Sequence, residues 1–140
     1  MERHEICYAS DRGKLGEISE FIGEHARHAG LGEDDVYEIQ MATDEACTNS
    51  IEHAYDGLTS GQIEVCCYVE GAFFVVSVRD YGRRFDPDTV PVPDVTAPLE
   101  ERSIGGLGLY FMRRLVDSIE FSFDPVQGNQ VLMRKRRDSQ

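Results

Sequence analysis

The sequence predicts an α+β domain: a two-layer sandwich with helices on one face of a mixed, mostly antiparallel sheet. Three observations point there. Strand-like and helix-like segments follow in the order βααββ, loop, αββ, which favours helices gathered on one side of such a sheet. Two turn signals, Glu70-Gly71 and Gln127-Gly128-Asn129, each join strand-like runs into a hairpin. No repeat or linker interrupts the 140 residues, so a single domain over 1–140 with its own core is expected.

Arg3 to Tyr8 is a weakly alternating first strand. Ser10 or Asp11 offers a helix cap, after which Leu15, Ile18, Ile22, Ala26 and Ala29 recur at helical spacing until Gly30. Asp35 with Glu38 three residues on resembles a capping box. It opens a second helix with Val36, Ile39, Thr43, Ala46, Cys47, Ser50 and Ala54 near one face, ended by Asp56-Gly57. Gln62–Val69 and Phe73–Val78 read as paired strands, the second rich in β-branched and aromatic residues. Asp86 to Pro98 holds four of the five prolines and is expected to be a long irregular segment. A third helix over about Gly108 to Val116 presents Leu109, Met112, Leu115 and Val116. Ile119–Phe123 and Gln130–Arg134 close the chain as a second hairpin.

The formal net charge of −12 argues against general affinity for nucleic acid or anionic membranes. The basic run Arg134, Lys135, Arg136, Arg137 reads as a solvated strand end. No apolar run approaches the roughly 20 residues of a membrane-spanning helix, and residues 1–10 lack the apolar core of a secretory signal. Cys7, Cys47, Cys66 and Cys67 form neither a CxxC pair nor a zinc spacing. They are expected as reduced thiols in a cytoplasmic protein, with Cys66 and Cys67 on opposite strand faces.

Three stretches carry chemistry. In the second helix, Glu45, Asn49 and His53 are spaced by four and share one side. A carboxylate serves as a base, and an amide oxygen suits Mg²⁺, a hard cation. Asp80 with Gly82 two residues on follows a strand. Its carboxylate accepts from an exocyclic amine, and the glycine permits close approach to a flat ring. Gly105-Gly106-Leu107-Gly108 leads into the third helix, where free N–H groups and the helix dipole favour phosphate. No lysine follows these glycines, so this is not a P-loop, and the strand–glycine–helix order of a Rossmann site is missing.

Glu-xxx-Asn, Asp-x-Gly and Gly-Gly-x-Gly in that order resemble the GHKL (Bergerat) ATP-binding fold of histidine kinases, gyrase-type ATPases and Hsp90. DEACTNSIEHAY, VRDYGRRFDP and GGLGLYFMRRLVD are most similar to the anti-sigma-factor serine kinases of the RsbW/SpoIIAB type, over nearly the whole chain. The resemblance implies ATP and Mg²⁺ as cofactors. It implies Glu45 as general base, Asn49 as metal ligand, Asp80 on the adenine amine with Gly82 beside the ring, and Gly105, Gly106 and Gly108 in a lid. His53, Phe85, Arg102, Ser103, Leu107 and Asn129 complete the nucleotide-binding set. Asn129 stands in the Gly128-Asn129-Gln130 turn where the family often has Gly-Thr-Thr, an amide in place of a hydroxyl. The implied partners are an anti-anti-sigma STAS-domain protein, phosphorylated on serine, a sequestered sigma factor or other regulatory protein, and a second copy in a homodimer.

Two other functions compete with a serine kinase. One is a nucleotide-sensing module that inhibits a partner without turnover; retention of both Glu45 and Asn49 counts against it. The other is a histidine-kinase catalytic domain. His25 and His28 are present, but no separate phosphoacceptor helix precedes the core.

Overall fold

The computed structural model describes residues 2–84 and 104–137. The proline-rich segment and the site candidates Phe85, Arg102 and Ser103 lie outside them. Among the described residues, β1 (Arg3–Ala9) leads through a 3₁₀ turn to α1 (Leu15–His28) and α2 (Glu33–Asn49). A π-helical turn (Ser50–Ala54) extends α2, and β2 (Gln62–Glu70) and β3 (Phe73–Asp80) follow. α3 (Ile104–Leu115), β4 (Ser118–Asp124) and β5 (Gly128–Arg136) complete the set. The sheet order is β1-β2-β3-β5-β4. All four pairings are antiparallel, so among the described residues the sheet is antiparallel throughout rather than mostly so.

Alternation explains the layers. The helix-facing side of the sheet buries Ile63, Val65 and Cys67 of β2, Phe74, Val76 and Val78 of β3, and Val131 and Met133 of β5. Against it pack Ile18, Ile22 and Ala26 of α1, Val36, Ile39 and Ala46 of α2, and Leu109 and Met112 of α3. Each large side chain so buried contributes roughly 1.5–3 kcal/mol. β3 is central and mostly buried, which is why its sequence reads as a continuous apolar run. Cys66 and Cys67 do face opposite sides, Cys67 buried and Cys66 half-buried, and all four thiols are unpaired. No helix among the described residues is long and apolar enough to cross a membrane.

Helix ends differ from the sequence reading in three places. α2 starts at Glu33 behind Gly32, not at a capping box. Asp35 and Glu38 instead turn to Lys135, whose Nζ lies 3.7 Å from Asp35 Oδ1 and donates to Glu38 Oε2 at 3.1 Å. The basic run is therefore not a solvated strand end. Lys135 is 8% exposed and also donates to the Leu115 carbonyl at 2.7 Å. Arg137 Nε donates to the Ala29 carbonyl at 2.7 Å. These cations satisfy orphan carbonyls at the ends of α3 and α1, where the helix dipoles also favour positive charge. The third difference is α3, which begins at Ile104, so Gly105, Gly106 and Gly108 lie within its first turns. His25, the alternative phosphoacceptor, is stacked on His4 with ring centroids 4.0 Å apart and takes Phe21 against its edge.

Lys135→Met is expected to destabilise the fold by about 1–3 kcal/mol. It strands two partly exposed carboxylates and a helix-end carbonyl. Urea denaturation checks this, with Arg136→Ala, on the exposed strand end, expected to change stability far less.

Candidate functional site

The site begins where α2 ends. After Asn49 the helix widens: the Tyr55 N–H bonds the Ser50 carbonyl at 3.1 Å and the Gly57 N–H bonds the Ile51 carbonyl at 2.7 Å. Such π turns are rare and cluster at functional positions. Glu45 and Asn49 precede the change and share a helix face. His53 lies within the π turn. Its carbonyl accepts from Arg83 Nη2 at 3.1 Å, and its side chain does not line the pocket described next.

Asp80 is the last residue of β3 rather than the first beyond it, and it is only 6% exposed. Three donors hold its carboxylate. Ser50 Oγ donates to Oδ2 at 2.7 Å. Asn129 Nδ2 and the Gly82 N–H donate to Oδ1 at 2.8 and 3.1 Å. A carboxylate accepts at about four positions, so one remains for a ligand. Asn129 stands opposite Asp80 in the β3–β5 register, and its amide also donates to the Arg83 carbonyl at 2.9 Å. Gly82 faces the end of the π turn: a Cβ there would run into the Ala54 carbonyl, and the Arg83 N–H donates to that same carbonyl at 2.8 Å. The glycine thus already answers a close backbone approach within the protein.

A pocket opens above Asp80, lined by Asn49, Ser50, Asp80, Met112, Phe121 and Asn129 among others. Ser50 was read from the sequence only as part of the helix's apolar side. A small polar residue on a buried face, next to Asn49, was the signal that it served a buried polar group. Met112 brings the last turn of α3 to the pocket, and Lys135 fastens the end of that helix to the start of α2.

Glu45 and Asn49 differ from Asp80 in having no hydrogen-bond or ion-pair partner among the described residues. Glu45 is half-buried, and burial together with the neighbouring Asp44 carboxylate holds its pKa above the ordinary value. That makes it a stronger proton acceptor than a solvated glutamate. The Asn49 carboxamide offers a free oxygen at the pocket wall, the donor type a hard divalent cation takes.

A family model described as "Histidine kinase-like ATPase domain" matches residues 8–135. The chain belongs to this family. A histidine kinase-like ATPase domain uses a nucleotide, and three of the residues assigned to ATP from the sequence, Asn49, Asp80 and Asn129, line the pocket over Asp80. Curated relatives of the domain are named serine-protein kinase RsbW. That of Listeria monocytogenes serovar 1/2a is 33% identical over 86% of this chain and 77% of its own length. That of Halalkalibacterium halodurans is 33% identical over 71% and 62%. The crystal structure of the RsbU and RsbW domains of Rv1364c from Mycobacterium tuberculosis matches with a TM-score of 0.68 at 18% identity. It covers 97% of this chain and 32% of that longer one, and it supports the fold of the ATPase domain.

Asp80→Ala is expected to destabilise the domain more than Ser50→Ala. The first removes the acceptor of the buried Ser50 and Asn129 donors and of the part-buried Gly82 N–H, whereas the second removes one bond to a charged group, worth about 1.5–3 kcal/mol. Chemical denaturation of the two variants checks the order.

Proposed function

We propose that the chain, as a single GHKL-type domain, is an ATP- and Mg²⁺-dependent protein serine kinase acting as an anti-sigma regulatory factor in the cytoplasm. It phosphorylates a serine on a STAS-domain partner and sequesters a sigma factor or similar regulator, as a homodimer. The observation that carries this reading is Glu45: a half-buried carboxylate with a raised pKa and no partner among the described residues, one helical turn from Asn49 at the pocket wall.

In this reading the adenine amine takes the remaining acceptor position of Asp80, and Ser50 and Asn129 keep that carboxylate oriented. Asn49 would hold Mg²⁺, which when bound would neutralise phosphate charge. The N–H groups of Gly105, Gly106 and Gly108 sit at a helix start and face the phosphates. Glycine costs a helix about 1 kcal/mol per residue relative to alanine, so three of them keep this start easily unwound. Glu45 takes the proton of the incoming serine hydroxyl. The serine oxygen bonds the γ-phosphorus as the β–γ bridging bond breaks, and ADP leaves. Phosphoryl transfer asks the protein mainly for positioning and charge stabilisation, which an acidic chain supplies through a metal and backbone N–H groups. Phe85, Arg102, Ser103, Leu107 and His53 are assigned supporting nucleotide contacts.

The test is incubation with radiolabelled ATP and a purified STAS-domain protein. Label on the partner's serine supports the kinase; tight binding without label supports a nucleotide-sensing module. Glu45→Ala is expected to reduce transfer by at least about 100-fold while calorimetric ATP affinity stays within a few-fold. Comparable transfer by that variant removes Glu45 from the mechanism.

The pH profile gives a second check. Glu45 acts only when ionised, and its pKa lies above the ordinary 4.5. Activity is therefore expected to fall on acidification at a pH above 4.5. Asp44→Asn removes the neighbouring charge that raises Glu45, so it shifts this acid limb to lower pH.

A further inference from the structure

We propose that the outward face of α2, from Asp34 to Glu45, docks the phosphoacceptor protein, with Tyr37 and Met41 as its apolar anchors. This rests on the kinase reading above. α2 is closed on its inner side by Val36, Ile39, Ala42, Thr43, Ala46 and Cys47. Towards α1 it is pinned by Gln40, whose Nε2 donates to the Ser19 carbonyl at 2.9 Å. On the outward side Tyr37 is 62% exposed and Met41 38% exposed, and neither belongs to the core.

Isolated exposed apolar residues are ordinary; position is what distinguishes these two. Met41 lies four residues and Tyr37 eight residues before Glu45 on one helix face, about 6 and 12 Å along the axis. A serine hydroxyl must come within about 3 Å of Glu45 to give up its proton. A folded protein presenting it covers about 800 Å² of its partner's surface in a standard interface, a patch reaching roughly 16 Å from its centre. Tyr37 and Met41 fall beneath that patch. Methionine and tyrosine are both enriched in interface cores.

The chemistry of the occupant follows from the charges. α2 carries no basic residue between Glu33 and Asn49. Asp34 and Asp44 accompany Glu45 on or beside the face, and neither has an ion-pair partner among the described residues. The acceptor's contact surface is therefore apolar at its centre, with Lys or Arg at its rim.

Steady-state kinetics with the purified STAS-domain acceptor of the transfer assay tests this. The double variant Tyr37→Ala/Met41→Ala is expected to raise KM for the acceptor at least about tenfold. The kcat at saturating acceptor and the ATP affinity should stay those of the unaltered chain. Tyr37→Phe/Met41→Leu should keep KM near the original, since the contact is apolar. Val126→Ala, on the turn between β4 and β5 and more exposed than either (84%), should change nothing. Docking on this face is overturned by a double-variant KM within twofold of the original, by an equal effect from Val126→Ala, or by a change in oligomeric state with KM unmoved. Absence of transfer by the unaltered chain instead overturns the kinase reading, and this docking with it.

Discussion

The Asp80 carboxylate is the constraint on which the site depends. It is a buried charge at the end of the central strand, and burying it without partners would cost several kcal/mol. Its partners come from three places: Ser50 from the π turn, Asn129 from β5, and the Gly82 N–H from its own following turn. Meeting that electrostatic requirement draws the end of α2 to the end of β3. The Ala54 carbonyl, taken by the Arg83 N–H, repeats the connection through the backbone. A pocket wall built this way resists rearrangement, because moving any one element leaves a buried polar group unpaired.

Against that locked floor, the two groups assigned to the reaction are free. Glu45 and Asn49 stand one turn apart on a regular stretch of helix, and neither side chain is committed to another among the described residues. Rigid binding groups with available reacting groups are what positional catalysis needs. Leaving Glu45 unpaired also raises its pKa, since only burial and Asp44 act on it, and this improves it as a proton acceptor.

The opposite end of the molecule shows how an acidic chain uses its few cations. Lys135 and Arg137 sit where α3 and α1 end, and they bind the Leu115 and Ala29 carbonyls. Lys135 also reaches the first turns of α2 through Asp35 and Glu38. Charges that look surplus in the sequence hold the helical layer to β5. The outward face of α2 is left acidic, with Tyr37 and Met41 bare upon it.

Much of this was readable from local pattern. Helical spacing located α1 and α2, β-branched alternation located the strands, and Gly30, Asp56-Gly57 and Gly128 marked turns that the backbone makes with positive φ. The three chemical stretches carried the family resemblance because their residue types are dictated by the ligand. Other features depend on partners distant in the chain, and local pattern does not encode those. Asp35 and Glu38 have capping-box spacing, yet Lys135, about a hundred residues on, takes both. Ser50 looks like one more helical residue until Asp80 arrives beside it. His53 keeps its four-residue spacing, but it falls within the π turn and outside the lining of the pocket over Asp80. Sequence periodicity determined which segments became helices and strands and which residue types were present for the chemistry. Tertiary structure alone decided which polar groups were consumed in pairing and which stayed free, because a buried charge takes its partners from whatever the fold brings within hydrogen-bond reach.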